Sequence, residues 1–261
     1  MKAVSNHFAS VYCLLDITAP RVAPLRAGMA RKPAKRSCSY LMSMSYLSLI
    51  VVTMVIGMGA TWYVNRQINK YLRVPASTRI TGAQMAERML AANGVTGVQI
   101  HRGGPQQDHF DPRSNSITLD PDAFGGTSIT AIATACHEVG HACQFAEGYA
   151  PMKIRGALVP AVNFASNAWV FLLMIGIFMH MAGLTTLAII MYAVVVLFQL
   201  VTLPVEFDAS RRGLAFLTTQ GITSAEQSGA YSVLRACALT YVAAALTSIL
   251  QLLWLLQSHD E

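Results

Sequence analysis

Apolar residues dominate three long segments of the chain, and none of these segments contains Asp, Glu, Lys or Arg: 37–64, 156–205 and 236–258. A membrane-spanning helix needs about 20 consecutive apolar residues. The middle segment is long enough for two spans joined by a turn, which His180, Gly183 and Thr185 mark. The pattern therefore predicts four transmembrane helices, at residues 39–64, in a hairpin over 156–204, and at 236–258. Pro204 is expected to end the third span.

Polar residues resume between the first and second spans, and their pattern predicts a small α+β domain over residues 65–155. Thr81 and Gln84 form a capping box for a helix over 82–93, which Asn93-Gly94 ends. Short strands are predicted at 95–101 and 116–119. Thr127 or Ser128 is expected to cap a further helix that ends near Gly148.

A second polar segment, residues 205–235, separates the third and fourth spans. Ser224-Ala-Glu-Gln227 has the spacing of another capping box. The helix that begins there is expected to continue into the fourth span.

Composition supports a membrane protein. Charged residues make up 12% of the chain and the mean hydropathy is +0.44, whereas soluble domains carry about 25% charged residues. The net charge of +6 comes from basic residues that flank the apolar segments. The positive-inside rule therefore places both polar segments in the cytoplasm, and nucleic-acid binding is not expected. Five cysteines with scattered spacing do not form a disulfide framework.

Residues 1–38 form a basic extension that conflicts with this topology, because the N-terminus would lie outside. Three interpretations compete: a start codon assigned too far upstream, an acid-poor targeting sequence, and a disordered tail. The first, with Met42 or Met44 as initiator, is favoured because it removes the conflict.

The run His137-Glu138-Val139-Gly140-His141 has the HExxH pattern of zinc metalloproteases. On a helix the two histidines lie about 40° apart, so both imidazoles can reach one ion. Glu138 can act as the general base toward a water molecule that zinc activates. The alternative is a structural histidine pair on a buried helix. Cys136 and Cys143 point away from His141 and are expected to pack in the core.

A catalytic zinc ion needs a third protein ligand and an open fourth position. The candidates are His101, His109, Glu147, Glu206 and Asp208. Glu206 is favoured, because the hairpin crosses the membrane twice and returns it to the face that carries the motif. Otherwise, Glu206 is an interfacial carboxylate paired with an arginine. Glu147 lies on the motif helix but on the wrong side of it.

Six blocks of sequence resemble the YugP-type family of neutral zinc metallopeptidases of bacterial membranes: TGAQMAERML (81–90), DHFDP (108–112), CHEVGHACQ (136–144), EGYAP (147–151), LPVEFDASRR (203–212) and ALTYVAAAL (238–246). The resemblance extends over residues 40–257. It implies a gluzincin-like peptidase domain on the cytoplasmic side of a mainly α, four-helix polytopic protein of the bacterial cytoplasmic membrane. It also implies one zinc ion per chain.

The stretch Glu206-Phe-Asp-Ala-Ser210 is similar to that of the more distant HtpX-like membrane proteases, which supports Glu206 as the third ligand. Those proteases have Asp where this chain has Ser210. An Asp there would orient a ligand imidazole, and Ser210 can accept a hydrogen bond but carries no charge.

The sequence hypothesis is a membrane-bound zinc endopeptidase that acts on polypeptides, including membrane proteins. His109, Tyr149 and Arg211 are candidates for contacts to the substrate or the oxyanion. His109 and Asp111 are expected in a loop before strand 116–119, which could pair with an extended substrate. The alternatives are a zinc-binding scaffold or chaperone-like protein without proteolysis, and a small transporter, for which His180 is the only intramembrane ionisable group.

Overall fold

The computed structural model describes residues 46–260, so the interpretations of residues 1–38, Met42 and Met44 lie outside the described part of the chain. The elements in chain order are α1 (Tyr46–Leu72), α2 (Gly82–Ala92), β1 (Gln99–Arg102), β2 (His109–Asp111), β3 (Ser116–Leu119), α3 (Pro121–Gly125), α4 (Ile129–Ala146), α5 (Ala150–Phe178), α6 (Ala182–Thr218) and α7 (Ser224–Asp260).

Four of the helices, α1, α5, α6 and α7, are long and apolar enough to cross a membrane. Large apolar side chains such as Leu47, Val55 and Phe178 are exposed on them, as expected of surfaces that face lipid rather than water. Helix α6 packs against α5 and α7, and α1 packs against α7. The four spans predicted from the sequence are thus present as helices.

Successive spans run in opposite directions, so the start of α1, the turn between α5 and α6, and the end of α7 lie at one end of the bundle. The turn between α5 and α6 lies at residues 179–181, as the sequence predicted, and His180 has a positive φ of 52° there. At the same end of the bundle the rings of Tyr46 and Trp254 are 4.6 Å apart. The polar segments between the other helix ends are therefore collected at the opposite end of the bundle.

The prediction that Pro204 ends the third span is wrong, because α6 continues through Pro204 to Thr218. A proline inside a helix removes one backbone hydrogen bond. Here the residues beyond it are held by packing, since the side chains of Val205, Ala209 and Leu217 are fully buried. Helix α1 likewise continues past residue 64 to Leu72, and α5 begins at Ala150, six residues before the predicted span.

The capping box of α2 is present as predicted. The Gln84 backbone amide donates to the Thr81 hydroxyl, and the Thr81 backbone amide donates to the Gln84 side-chain oxygen. Near α7 the capping pair is shifted by one residue. The Thr223 amide donates to a Glu226 carboxylate oxygen over 2.7 Å, and the Glu226 amide donates to the Thr223 hydroxyl. The predicted box at 224–227 is therefore wrong in register, although α7 does continue without a break into the fourth span.

A three-stranded sheet with the order β1-β3-β2 lies beside α4. Strand β3 is parallel to β1 and antiparallel to β2, so that Ile117 lies between Ile100 and Phe110. His109 and Asp111 lie in β2 and not in a loop, which corrects the sequence interpretation. Because β3 is paired on both sides, it has no free edge for a substrate strand, and that hypothesis is also wrong.

Helix α4 lies at the centre of the polar domain and is capped at its start by Ser128, whose hydroxyl accepts from the Ala131 backbone amide. Its side chains are buried on nearly every side by α2, β3 and α6. Cys136 and Cys143 are free thiols within this core, which confirms that they pack rather than serve as ligands beside the histidines. Burial raises the pKa of the Cys143 thiol to about 11, so it stays protonated at neutral pH.

Candidate metal centre

Helices α4 and α6 approach each other so closely that their backbones touch. A Cβ atom built on Gly140 of α4 would lie 2.6 Å from the Ala209 carbonyl oxygen of α6. A Cβ atom on Gly213 of α6 would lie 3.1 Å from backbone atoms of Cys136. Glycine on each helix therefore permits the close crossing, which brings the HExxH motif on α4 to the first turns of α6 beyond Pro204.

Three side chains converge at this crossing. Potential ligand atoms of His137, His141 and Glu206 all lie within 4.8 Å of one another. Glu206 Oε2 is 3.3 Å from His137 Nε2 and 3.7 Å from His141 Nε2. The imidazole rings are nearly perpendicular, with centroids 4.8 Å apart. The three residues that the sequence analysis favoured as ligands are thus brought together from two helices.

The Glu206 carboxylate is suited to a cation. Glu206 is only 2% exposed, and its buried Oε2 atom has no hydrogen-bond partner among the described residues. A buried, unpartnered carboxylate oxygen is unfavourable unless a positive charge offsets it. Two imidazole nitrogens and one carboxylate form a ligand set that zinc prefers. The residues present therefore fit a zinc ion.

The same carboxylate alters the protonation of His141. Burial lowers the pKa of His141, but the adjacent Glu206 carboxylate more than offsets this effect, and the pKa lies above its usual value. In the absence of a metal, a proton on the imidazole can thus provide the positive charge beside Glu206. Metal binding requires that proton to leave, so the two compete for one position.

The remaining nitrogen of each histidine is also engaged. Ser210 Oγ lies 3.1 Å from His137 Nδ1, so the serine contacts the imidazole that an Asp would orient in the distant family. Gln144 Oε1 lies 3.1 Å from His141 Nδ1. Both contacts leave Nε2 as the nitrogen that faces Glu206.

Glu138 is buried and 7% exposed. A second carboxylate, Asp108, lies within electrostatic range of it and is held by a hydrogen bond from the Asp120 amide. Burial, together with the negative charges of Asp120 and Glu138, raises the pKa of Asp108 to about 7. Asp108 is therefore a second acid whose charge acts on Glu138, and its pKa lies close to neutral pH.

The other candidates from the sequence lie as follows. His109 is exposed on β2, with Nδ1 3.0 Å from the Gln107 carbonyl oxygen, and His101 is exposed on β1. Tyr149 directly precedes α5. Arg211 is 78% exposed and pairs with Asp208. Asp208 also binds Arg212, which in turn reaches Glu147 over 2.7 Å.

The sequence analysis missed two residues whose charge or polar group acts on the ligands. Arg155, at the start of α5, places its guanidinium Nη1 3.7 Å from Glu206 Oε1 and is 30% exposed. Tyr241, on α7, lies within electrostatic range of Glu206, Glu138 and Arg155. An arginine at the boundary of a predicted span was a usable signal, but it was interpreted only as a topology determinant. Tyr241 lies within the apolar segment 236–258, where nothing in the pattern distinguishes it from lipid-facing residues.

Comparison with known proteins agrees with this geometry. Residues 46–259 match a family described as "Putative neutral zinc metallopeptidase". The chain is 40% identical over 212 residues to the "Putative membrane protease YugP" of Bacillus subtilis (strain 168), an alignment that covers 80% of this chain and 94% of the relative. No solved structure gives a significant match. With a match across nearly all the described residues, the chain belongs to the family that bears the description "Putative neutral zinc metallopeptidase".

Proposed function

We propose that the protein is a membrane-bound, zinc-dependent endopeptidase with one zinc ion per chain, held by His137, His141 and Glu206. The observation that carries the proposal is the unpartnered Glu206 Oε2 atom, which faces the Nε2 atoms of both HExxH histidines. Family membership supports the same ion. Zinc, when bound, would polarise the scissile carbonyl and activate a water molecule.

Glu138 is the general base in this proposal. It directly follows His137 on α4 and is buried, so its carboxylate is kept close to the ligands and away from bulk water. Glu138 takes a proton from the attacking water and delivers it to the leaving amine. Arg155 is the cation best placed to stabilise the developing oxyanion, because its guanidinium lies beside the ligand set and is accessible to solvent. His109, Tyr149 and Arg211 remain candidates for further substrate contacts.

The proposed substrate is a polypeptide, membrane proteins included, that reaches the site from the cytoplasm. The polar segments lie at one end of the helical bundle and carry most of the basic residues near the spans, which supports a cytoplasmic active site in the bacterial inner membrane. No feature of the site favours nucleic acid. Labelling Gln106→Cys, on the exposed loop before β2, with a membrane-impermeant thiol reagent tests the orientation: intact cells should be protected and lysed cells labelled.

Metal analysis of the detergent-purified protein tests the zinc site. Wild type and His101→Ala, an exposed histidine outside the cluster, should each contain one zinc ion per chain, and His141→Ala and Glu206→Ala should lose it. Zinc retained in Glu206→Ala would refute the ligand assignment.

The test of catalysis is Glu138→Gln. This variant should keep its zinc and lose about 10²- to 10⁴-fold of the hydrolysis of an unfolded polypeptide. A scaffold or chaperone-like protein would instead retain its function in Glu138→Gln, since a structural zinc ion needs no general base.

A further inference from the structure

We infer that Gln144 is a positioning residue that sets the tautomer of His141 and holds its Nε2 atom toward the metal. The inference rests on the proposed function and concerns a residue that touches neither the ion nor the substrate. Gln144 lies one turn after His141 on α4 and is fully buried.

The hydrogen bonds of Gln144 determine which way its amide points. Its Nε2 atom donates to the Val205 carbonyl oxygen over 2.8 Å and to Asp208 Oδ2 over 3.0 Å. Both partners are acceptors that cannot donate, so the amide nitrogen must face them. The amide oxygen must then face His141 Nδ1, at 3.1 Å.

An amide oxygen only accepts hydrogen bonds, so His141 Nδ1 must carry the hydrogen. That tautomer leaves the lone pair on Nε2, the atom 3.7 Å from Glu206 Oε2. The ring can neither flip nor exchange its tautomer without leaving the Gln144 oxygen unpaired inside the protein, which is costly. Gln144 therefore fixes the ring orientation and places the hydrogen of the neutral imidazole on Nδ1, as a metal ligand that binds through Nε2 needs.

Asp208 holds the Gln144 amide from α6, the other ligand helix. Its Oδ2 atom also accepts from Arg212 Nε over 2.6 Å, and its Oδ1 atom accepts from Arg211. Arg212 further binds Glu147 at the end of α4. The chain of contacts from His141 through Gln144 to Asp208 thus spans α4 and α6, the two helices that supply the ligands.

His137 provides an internal comparison. Its Nδ1 partner is Ser210, which is partly exposed. A hydroxyl can donate or accept, and water can replace it at an accessible site. Ser210 should therefore matter less for metal binding than Gln144, which no water can replace.

The first test is zinc affinity, measured by competition with a chelator. Gln144→Met has a similar volume and no amide, and we expect it to raise the zinc Kd about 10- to 100-fold. Ser210→Ala should have a smaller effect. Gln251→Met is the matched control: Gln251 is a half-buried helical glutamine that accepts from Tyr192, and its loss should leave the Kd unchanged.

The decisive variant exchanges the donor and the acceptor. In Gln144→Glu the new carboxylate still accepts from His141 but repels Asp208, so zinc binding should weaken. Adding Asp208→Asn provides an amide that can donate to the new carboxylate, and the double variant should bind zinc more tightly than Gln144→Glu alone. This rescue separates positioning from simple loss of packing and remains informative if Gln144→Met does not fold.

The outcomes distinguish this inference from the proposed function. Wild-type protein without zinc would refute the proposed function. Zinc bound by wild type and equally well by Gln144→Met, or a double variant no better than Gln144→Glu, would overturn only the role of Gln144.

Discussion

The backbone of Ala209 occupies the space that a side chain at Gly140 would need, since a Cβ atom there would lie 2.6 Å from the Ala209 carbonyl oxygen and 2.9 Å from its Cα atom. Gly140 is one of the two variable positions of the HExxH motif, and Ala209 lies three residues after Glu206. The distance between α4 and α6, and with it the distance between the histidines and the carboxylate, therefore depends on the absence of a side chain at Gly140, as it does at Gly213.

Gly140→Ala should accordingly weaken zinc binding without touching a ligand. Backbone atoms cannot move aside as a flexible side chain can, so the helices must separate, at a cost of about 1–3 kcal/mol. We expect the zinc Kd to rise at least about 10-fold, because ligand geometry is lost with the separation. Gly156→Ala is the matched control, since a Cβ atom on that helical glycine meets nothing within 4 Å. Wild-type zinc affinity in Gly140→Ala would show that the crossing does not set the site.

The sequence predicted the spans well because their signal is local. Apolar runs such as 156–205 need no knowledge of neighbours, and the capping pair Thr81–Gln84 is likewise local. Helix ends were less predictable. Pro204 normally favours a helix end, but contacts of Val205 and Ala209 with another helix outweigh that preference, and such contacts are not visible in the sequence.

The metal cluster was predictable only in part. HExxH places two histidines on one face by helix geometry alone, and the hairpin argument pointed to Glu206 through topology. The partners of the ligands were different: Gln144 reaches Asp208, 64 residues away, and Arg155 reaches Glu206. Those contacts depend on the rotation of three helices about their axes, which hydropathy does not determine.

Arg155 should influence catalysis more than metal binding. At 3.7 Å from Glu206 Oε1 it is too distant for a strong hydrogen bond and is partly exposed, so its guanidinium donors are available to a negatively charged oxyanion. We expect Arg155→Met to retain one zinc ion per chain and to lower kcat about 10²-fold, the loss typical of one oxyanion donor. Lys153→Met, two residues earlier on α5, is the control for charge near the membrane. Loss of zinc from Arg155→Met would instead mean that Arg155 only anchors Glu206.

Asp108 should make stability depend on pH between its ordinary pKa and its pKa in the fold. Burial raises that pKa from 3.8 to about 7, so the folded protein binds more protons than the unfolded chain between these values. Stability conferred by the protonated acid is present below pH 3.8 and is lost as the pH rises through 7. Asp108→Asn should therefore be more stable than wild type at pH 8, by at most about 4 kcal/mol, and similar to it at pH 4. Thermal unfolding in detergent at both pH values measures this difference, and a constant difference would contradict the assignment.

Glu226 should be a stability determinant that is independent of the metal. Its carboxylate accepts from the Ser77 amide at 2.6 Å, the Ser77 hydroxyl at 2.8 Å and the Thr223 amide at 2.7 Å, and so joins the segment after α1 to the start of α7. Removal of the carboxylate deprives these donors of their acceptor, but Ser77 and Thr223 are exposed, so water can replace part of it.

We therefore expect Glu226→Ala to lower the free energy of unfolding by about 1–2 kcal/mol, as for loss of a charged hydrogen-bond acceptor whose donors water can reach. Glu87→Ala, at an exposed position of α2, should change it little. Zinc content should stay at one ion per chain in both variants, because neither residue belongs to the ligand cluster. If Glu226→Ala lost zinc while remaining folded, the start of α7 would be coupled to the metal centre. The packing of α7 against α4 offers a path for that coupling.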